Sequence, residues 1–301
     1  TADNNTAVGK DALKTNTTGT QNIAVGAAAL DANTTANNNV GVGYAALTDN
    51  TTGASNIAIG KNALANNTTA SNNVAMGTDA LETNTTGAGN VAVGKDALTA
   101  NTTGTDNVAI GRASLQANTT ASENTAVGQG ALETATTADD NTAVGHAALG
   151  STTTGNNNTA VGRGALYANT TGSSLVAIGL SALTANTTAN DNIAIGSEAM
   201  AANTTGTSNI AIGPNALDAN ITNSYNTAIG PAALGANTAD SNTAVGYSAL
   251  AANTTGVYNT GIGVNTLATS TTANNNVAVG HKALYANTTG AENVAIGKGA
   301  L

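Results

Sequence analysis

"NTTGTQNIAVGAAAL" occupies residues 16–30. Seventeen residues on, the chain reads "NTTANNNVGVGYAAL" (33–47), and after seventeen more "NTTGASNIAIGKNAL" (50–64). The glycine that closes each "AVG" or "AIG" triplet is a natural anchor. It recurs from Gly9, Gly26 and Gly43 through to Gly297, giving eighteen anchors, and every step is 17 residues except the 16 between Gly230 and Gly246. The repeat is N-[TVI]-A-[VI]-G-x-x-A-L-x-x-N-T-T-[GA]-x-x, numbered here as positions 1 to 17 from its first Asn. Internal repetition of this kind overrides a domain count based on length. Residues 1–301 therefore read as a single continuous array, with one short coil at 231–246 that has lost a Thr. The chain begins within a repeat at Thr1 and ends within one at Leu301, which reads as a fragment of something longer.

A period of seventeen is too short for a helical hairpin, whose repeats run to about 33 residues or more. It suits one coil of an all-β fold, a parallel β-solenoid or β-roll. Strands in successive coils would stack about 4.8 Å apart, so about eighteen coils predict a rod of roughly 85 Å. The alternative is one helical turn at "KDALKTN" (10–16) in each coil. It fits poorly, because a helix about 10 Å across would fan the stack.

Alternation along N-[TVI]-A-[VI]-G puts positions 2 and 4 on one face and positions 1, 3 and 5 on the other. Position 4 is Val or Ile throughout except Met76, so its aliphatic file is expected in the core. Leu at position 9 is expected to meet it from the opposite wall. Val8, Leu13, Val25, Leu30, Ile59, Leu64, Ile110 and Leu115 represent this predicted core. Two buried aliphatic groups per coil supply about 3–6 kcal/mol before chain entropy, too little for one coil alone but enough for a stack. Position 6 varies most, through Lys10, Tyr44, Arg112, His146, Leu180, Pro214 and Pro231. Two prolines there mean that its amide is not needed in a ladder and that the strand ends at the Gly. Asn at positions 1 and 12 is expected to form side-chain ladders from coil to coil. Asn5, Asn22, Asn39 and Asn56 begin one file, and Asn16, Asn33, Asn50 and Asn67 the other.

Positions 1, 3 and 5 never carry a charge, and position 3 is Ala everywhere except Gly41 and Gly261. A water-facing strand surface drifts toward charged and hydroxyl residues. Recent duplication with slow divergence would also give uniformity, yet positions 6, 7, 10 and 16 have diverged freely. Close approach of another backbone, the simplest being another copy of the chain, explains an all-small file. Ala7, Ala24, Ala58, Ala109 and Ala126 accordingly mark the expected inter-chain face.

"NVAIGRASL" (107–115), "NIAIGSEAM" (192–200) and "NVAIGKGAL" (293–301) resemble the head repeats of YadA-like trimeric autotransporter adhesins. "NTAVGYSALAANTTG" (242–256) also resembles repeats of phage tail fibres and large exported bacterial proteins. The likeness extends along the whole chain. It implies a left-handed β-roll, three chains side by side, and display on a cell surface or virion. This repeat departs from the family pattern by its N-T-T-G insert, and the sequence holds no stalk, neck or anchor motif.

Composition narrows the function. Net charge is −9 with scattered acids, which argues against nucleic acid. No apolar run reaches a membrane span and no signal peptide is visible. Cys, Trp and Phe are absent, charged residues make up 8%, and the 41% hydrophobic content recurs in register, unlike a disordered tract. The two histidines, His146 and His281, both fall at position 6 and roughly 38 Å apart on an ideal stack, too far to share a metal or proton. There is no G-x-G-x-x-G leading into a helix and no calcium-roll motif. "TDALETN" (78–84) brings carboxyls close, but a regular rod offers no pocket. No catalysis and no cofactor are expected. The N-T-T triplets match a glycosylation sequon, though their period is better explained by the ladder. The tyrosines form no evident column and read as scattered surface or rim residues rather than a carbohydrate platform. The expected function is an extracellular structural fibre or adhesin shaft, a homo-oligomer with an unspecified host-surface or glycan receptor. The alternative is a monomeric solenoid binding ice or glycans, for which the adjacent Thr17 and Thr18 supply no T-x-T face.

Overall fold

The computed structural model describes residues 2–301 and consists of short strands and turns. Thr1, the mid-repeat start, lies outside the described residues. Each N-[TVI]-A-[VI]-G segment forms a three-residue strand, and the "KDALKTN" stretch is a turn rather than a helix.

The chain divides into two compact units, Thr1–Thr154 and Gly155–Leu301. The first holds nine parallel strands, β1 (Thr6–Val8) to β9 (Thr142–Val144). The second holds nine more, β10 (Thr159–Val161) to β18 (Val294–Ile296). Within each unit every strand pairs with the equivalent strand one repeat away, as in Thr6 with Ile23, Ala7 with Ala24 and Val8 with Val25. The 16-residue coil does not disturb this register: Thr227, Ala228 and Ile229 face Thr243, Ala244 and Val245. The lost residue falls in a corner, where the strand pairing does not depend on it.

Coil-to-coil bonding continues well beyond the strands. In the second coil Ile23 N–H donates to Asn39 O (2.8 Å), Leu30 N–H to Ala46 O (3.0 Å), Ala32 N–H to Thr48 O (2.9 Å) and Thr34 N–H to Thr51 O (3.1 Å). The position 6 amide takes no part, which admits Pro214 and Pro231, while Pro231 O still accepts from Ser248 N–H at 3.1 Å. Corners are made by left-handed residues at positions 7, 9 and 17, such as Ala28 (φ 56°), Leu30 (φ 53°) and Gln21 (φ 58°). At Gly111 (φ 134°) a Cβ would lie 2.6 Å from the carbonyl carbon of Gly128, so only glycine fits this stacked corner.

The Leu wall of the core is as the sequence predicts, but the strand faces it with the opposite side. Ala24, Ala58, Ala109 and Ala126 are fully buried within their coils, and Leu30, Leu64 and Leu115 are buried beside them. Val8, Val25, Ile59 and Ile110, expected inside, lie on the outer surface, with Ile110 41% exposed beside an Ala109 at 0%. The Ala file is therefore not an inter-chain face. Ala7 and Leu13 belong to the first described coil, which has a neighbour on one side only, and they are exposed and half-buried.

The physical reason is the thinness of the coil. At Gly41, which stands in the Ala file, an added Cβ would sit 3.3 Å from Leu30 Cγ and 3.2 Å from Ala46 O. A methyl fills the gap between the strand and the leucine wall, and a larger side chain would have no room. Close approach does restrict position 3, but the approaching group is the chain's own Leu. That residue, Leu in every repeat but the one with Met200, adopts a left-handed backbone at a cost of about 1–2 kcal/mol. Burying it returns about 1.5–3 kcal/mol, so the strained corner is sustained by the side chain it turns inward.

Candidate interaction face

Turning Ala inward turns positions 2 and 4 outward. Each unit thus carries two parallel files of Val, Ile and Thr on the outer surface of its sheet. In the first unit Ile23, Val25, Ile57, Ile59, Met76 and Ile110 are all exposed, and in the second Val161, Ile178, Ile229, Ile262 and Val277. Two files about 6.7 Å apart, widened by their side chains to about 12 Å and repeated over nine coils, give a band about 38 Å long and roughly 450 Å² in area. A monomer's largest apolar patch is commonly of this size and often functional. The band is unbroken by any charged residue and rich in stiff β-branched side chains.

Behind the band, the two Asn ladders run inside the coils. In the position 1 file Asn22 N–H donates to Asn5 Oδ1 (2.9 Å), Asn39 N–H to Asn22 Oδ1 (3.0 Å) and Asn56 N–H to Asn39 Oδ1 (2.9 Å). In the position 12 file Asn33 Nδ2 donates to Asn16 Oδ1 (2.9 Å), Asn50 to Asn33 (3.2 Å) and Asn67 to Asn50 (2.8 Å). The files also meet: Asn39 Nδ2 and Asn50 Nδ2 both donate to Gly53 O. Buried amides must be satisfied, and a periodic stack satisfies them in the same way wherever the Asn file is unbroken.

Where position 12 changes, the ladder fails. Asn118 Oδ1 is buried without a partner because the next coil places Ala135 there. Asn253 Oδ1 and Ser270 Oγ are both unpartnered where Ser replaces Asn. Asn220 Oδ1 is orphaned next to the short coil, whose Asn237 Nδ2 turns to Ala239 O (2.7 Å) instead.

The remaining polar features do not converge. His146 and His281 are both exposed at position 6, in separate units. Thr120, Ser122, Glu123, Asp139 and Asp140 line a shallow acidic recess in which Asp139 Oδ1 accepts from Ser122 N–H at 2.8 Å. Among the described residues no cluster of three or more His, Cys, Asp or Glu is arranged to hold a metal, and no helix is long and apolar enough to cross a membrane. Burial raises the Asp218 carboxyl above the usual range; hydrogen bonds from its own and the Ala219 amide oppose this, and the Glu198 charge adds to it. The N-T-T asparagines Asn33, Asn50 and Asn67 are fully buried, which shields these sequons in the folded chain.

Sequence reasoning found the ladders and the end of each strand at Gly but missed the left-handed corners at positions 7, 9 and 17 and the outward files. The signal was present in the same strand. Asn at position 1 shares a face with Ala at position 3, so a buried amide ladder at position 1 requires Ala to be buried too. The chain matches no model of a known protein family and no curated protein.

Proposed function

We propose that this chain is a structural module of an extracellular fibre or adhesin, assembled from copies of itself through the outward Val/Ile/Thr bands. The observation that carries this reading is the pair of exposed aliphatic files on each unit. A band of about 450 Å² on each unit is of the size that functional apolar patches commonly reach. The resemblance of the N-[VI]-A-[VI]-G strands to trimeric adhesin heads favours three chains and a surface location. Inter-coil bonding in series supports a mechanical role, and the site inventory favours no chemistry.

Light scattering across a dilution series tests the assembly. A stable trimer is expected for the parent chain. Ile110→Lys combined with Val127→Lys, on the outer file, should lower the mass to that of a folded monomer, with strand content unchanged by circular dichroism. A parent that is monomeric and well folded at all concentrations would overturn the proposal. The bands would then be open to solvent, and binding to an ordered surface such as ice would be the reading to pursue.

A further inference from the structure

Two of the six tyrosines share one file. Tyr225 and Tyr258 both stand at position 17, with left-handed backbones (φ 63° and 60°) that hold their side chains out from the coil. They are 69% and 64% exposed, among the most exposed large side chains of the molecule. The file's backbone is regular: Tyr225, Ser241 and Asn275 N–H groups donate to the position 16 carbonyls of Thr207, Ser224 and Val257 at 3.1–3.2 Å. The file reads Ser208, Tyr225, Ser241, Tyr258, Asn275, so aromatic and small polar residues alternate coil by coil. The two rings are two coils apart, about 9.6 Å.

We propose that this file binds an extended β-1,4-linked polysaccharide, with Tyr225 and Tyr258 stacking on alternate sugars. In such a chain successive sugars are turned over by about half a rotation. The same C–H-rich face therefore returns every second residue, at a repeat a little above two coil rises. An amphipathic tyrosine ring suits that face, and its hydroxyl reaches the sugar's polar edge. Ser208, Ser241 and Asn275 fall opposite the intervening sugars and offer hydroxyl and amide groups to theirs. Stacked bases are the competing ligand for paired rings, but a chain of net charge −9 repels phosphates. The site stands outside the Val/Ile bands and does not depend on how copies assemble.

The test uses the full chain and two probes, cellohexaose and chitohexaose. With no Trp in the sequence, tyrosine fluorescence reports binding directly. At least one hexasaccharide is expected to bind, and Tyr225→Ala or Tyr258→Ala should each weaken binding at least about fivefold. Tyr167→Ala, on another file, should leave it unchanged. The double variant Tyr258→Ala/Asn275→Tyr keeps two rings but sets them three coils apart, and it should bind as weakly as Tyr258→Ala. Failure of the parent to bind either sugar, unchanged binding in Tyr225→Ala, or full binding in the double variant would each overturn the proposal.

Discussion

Replacing Ser270 with Asn should stabilise the second unit, by an amount that follows from the ladder. Ser270 is fully buried at position 12, its Oγ has no partner, and neither has Asn253 Oδ1 in the preceding coil. Its backbone already follows the repeat: Ser270 N–H donates to Leu267 O at 3.1 Å, as Asn253 N–H does to Leu250 O at 3.1 Å. An Asn there would donate to Asn253 Oδ1 and to Ala273 O, and would accept from Asn287 Nδ2, which now reaches only Gly290 O (2.8 Å). An unsatisfied buried acceptor costs about 1–3 kcal/mol, so regaining its partner is worth about 2 kcal/mol. Opening of these coils should then be about 30-fold rarer. Hydrogen–deuterium exchange over residues 250–287 reads this directly, as slower exchange at the Leu250, Ala252 and Leu267 amides. Ser270→Ala is the necessary comparison. It removes the orphan hydroxyl but leaves Asn253 Oδ1 bare, and should recover only part of the gain. Equal protection in the Ala and Asn variants, or no gain in the Asn variant, would refute the ladder argument.

Two further outcomes follow from the inverted strand and the one displaced carboxyl. Ala109→Val should destabilise the coil by about 1–3 kcal/mol through overpacking, equally at all protein concentrations, whereas any cost of Ile110→Ala should vary with concentration. Urea midpoints at several dilutions check this, and the opposite pattern would return the aliphatic file to the core. Asp218 has a native carboxyl pKa above its unfolded value of about 3.9. Its native state therefore binds the proton more tightly, and stability falls as pH rises through the native pKa. Asp218→Asn should melt higher than the parent at pH 7, with the difference shrinking at pH 3; a larger benefit at pH 3 would contradict the burial argument.

The repeat fixes the strand positions, the strand-ending Gly and both amide files without any coordinates, because each follows from period, alternation and hydrogen-bonding capacity. Pro214 and Pro231 located an amide outside the ladder, and the structure places it there. What alternation does not carry is a sign. It separates Ile110 from Ala109 but does not say which is inside, and hydrophobicity points to the wrong one. The deciding quantity is the width of a coil only seventeen residues round, which the left-handed Leu115 (φ 49°) and its equivalents already fill. The tyrosine file was legible by counting from the Gly anchors, since Tyr225 precedes Gly230 by five residues and Tyr258 precedes Gly263 by five. The short coil between them hides the equivalence from a plain count of residues.

The buried amide files also bear on how such a chain ages. Asparagine is among the thermolabile residues. It loses its amide when the following backbone nitrogen swings round to attack the side-chain carbonyl. Here that nitrogen is already committed, as when Thr34 N–H donates to Thr51 O (3.1 Å) while Asn33 Oδ1 accepts from Asn50 Nδ2 (3.2 Å). The ring that deamidation needs cannot close without first opening the coil. A sequence crowded with a perishable residue is thereby made chemically durable along its buried files.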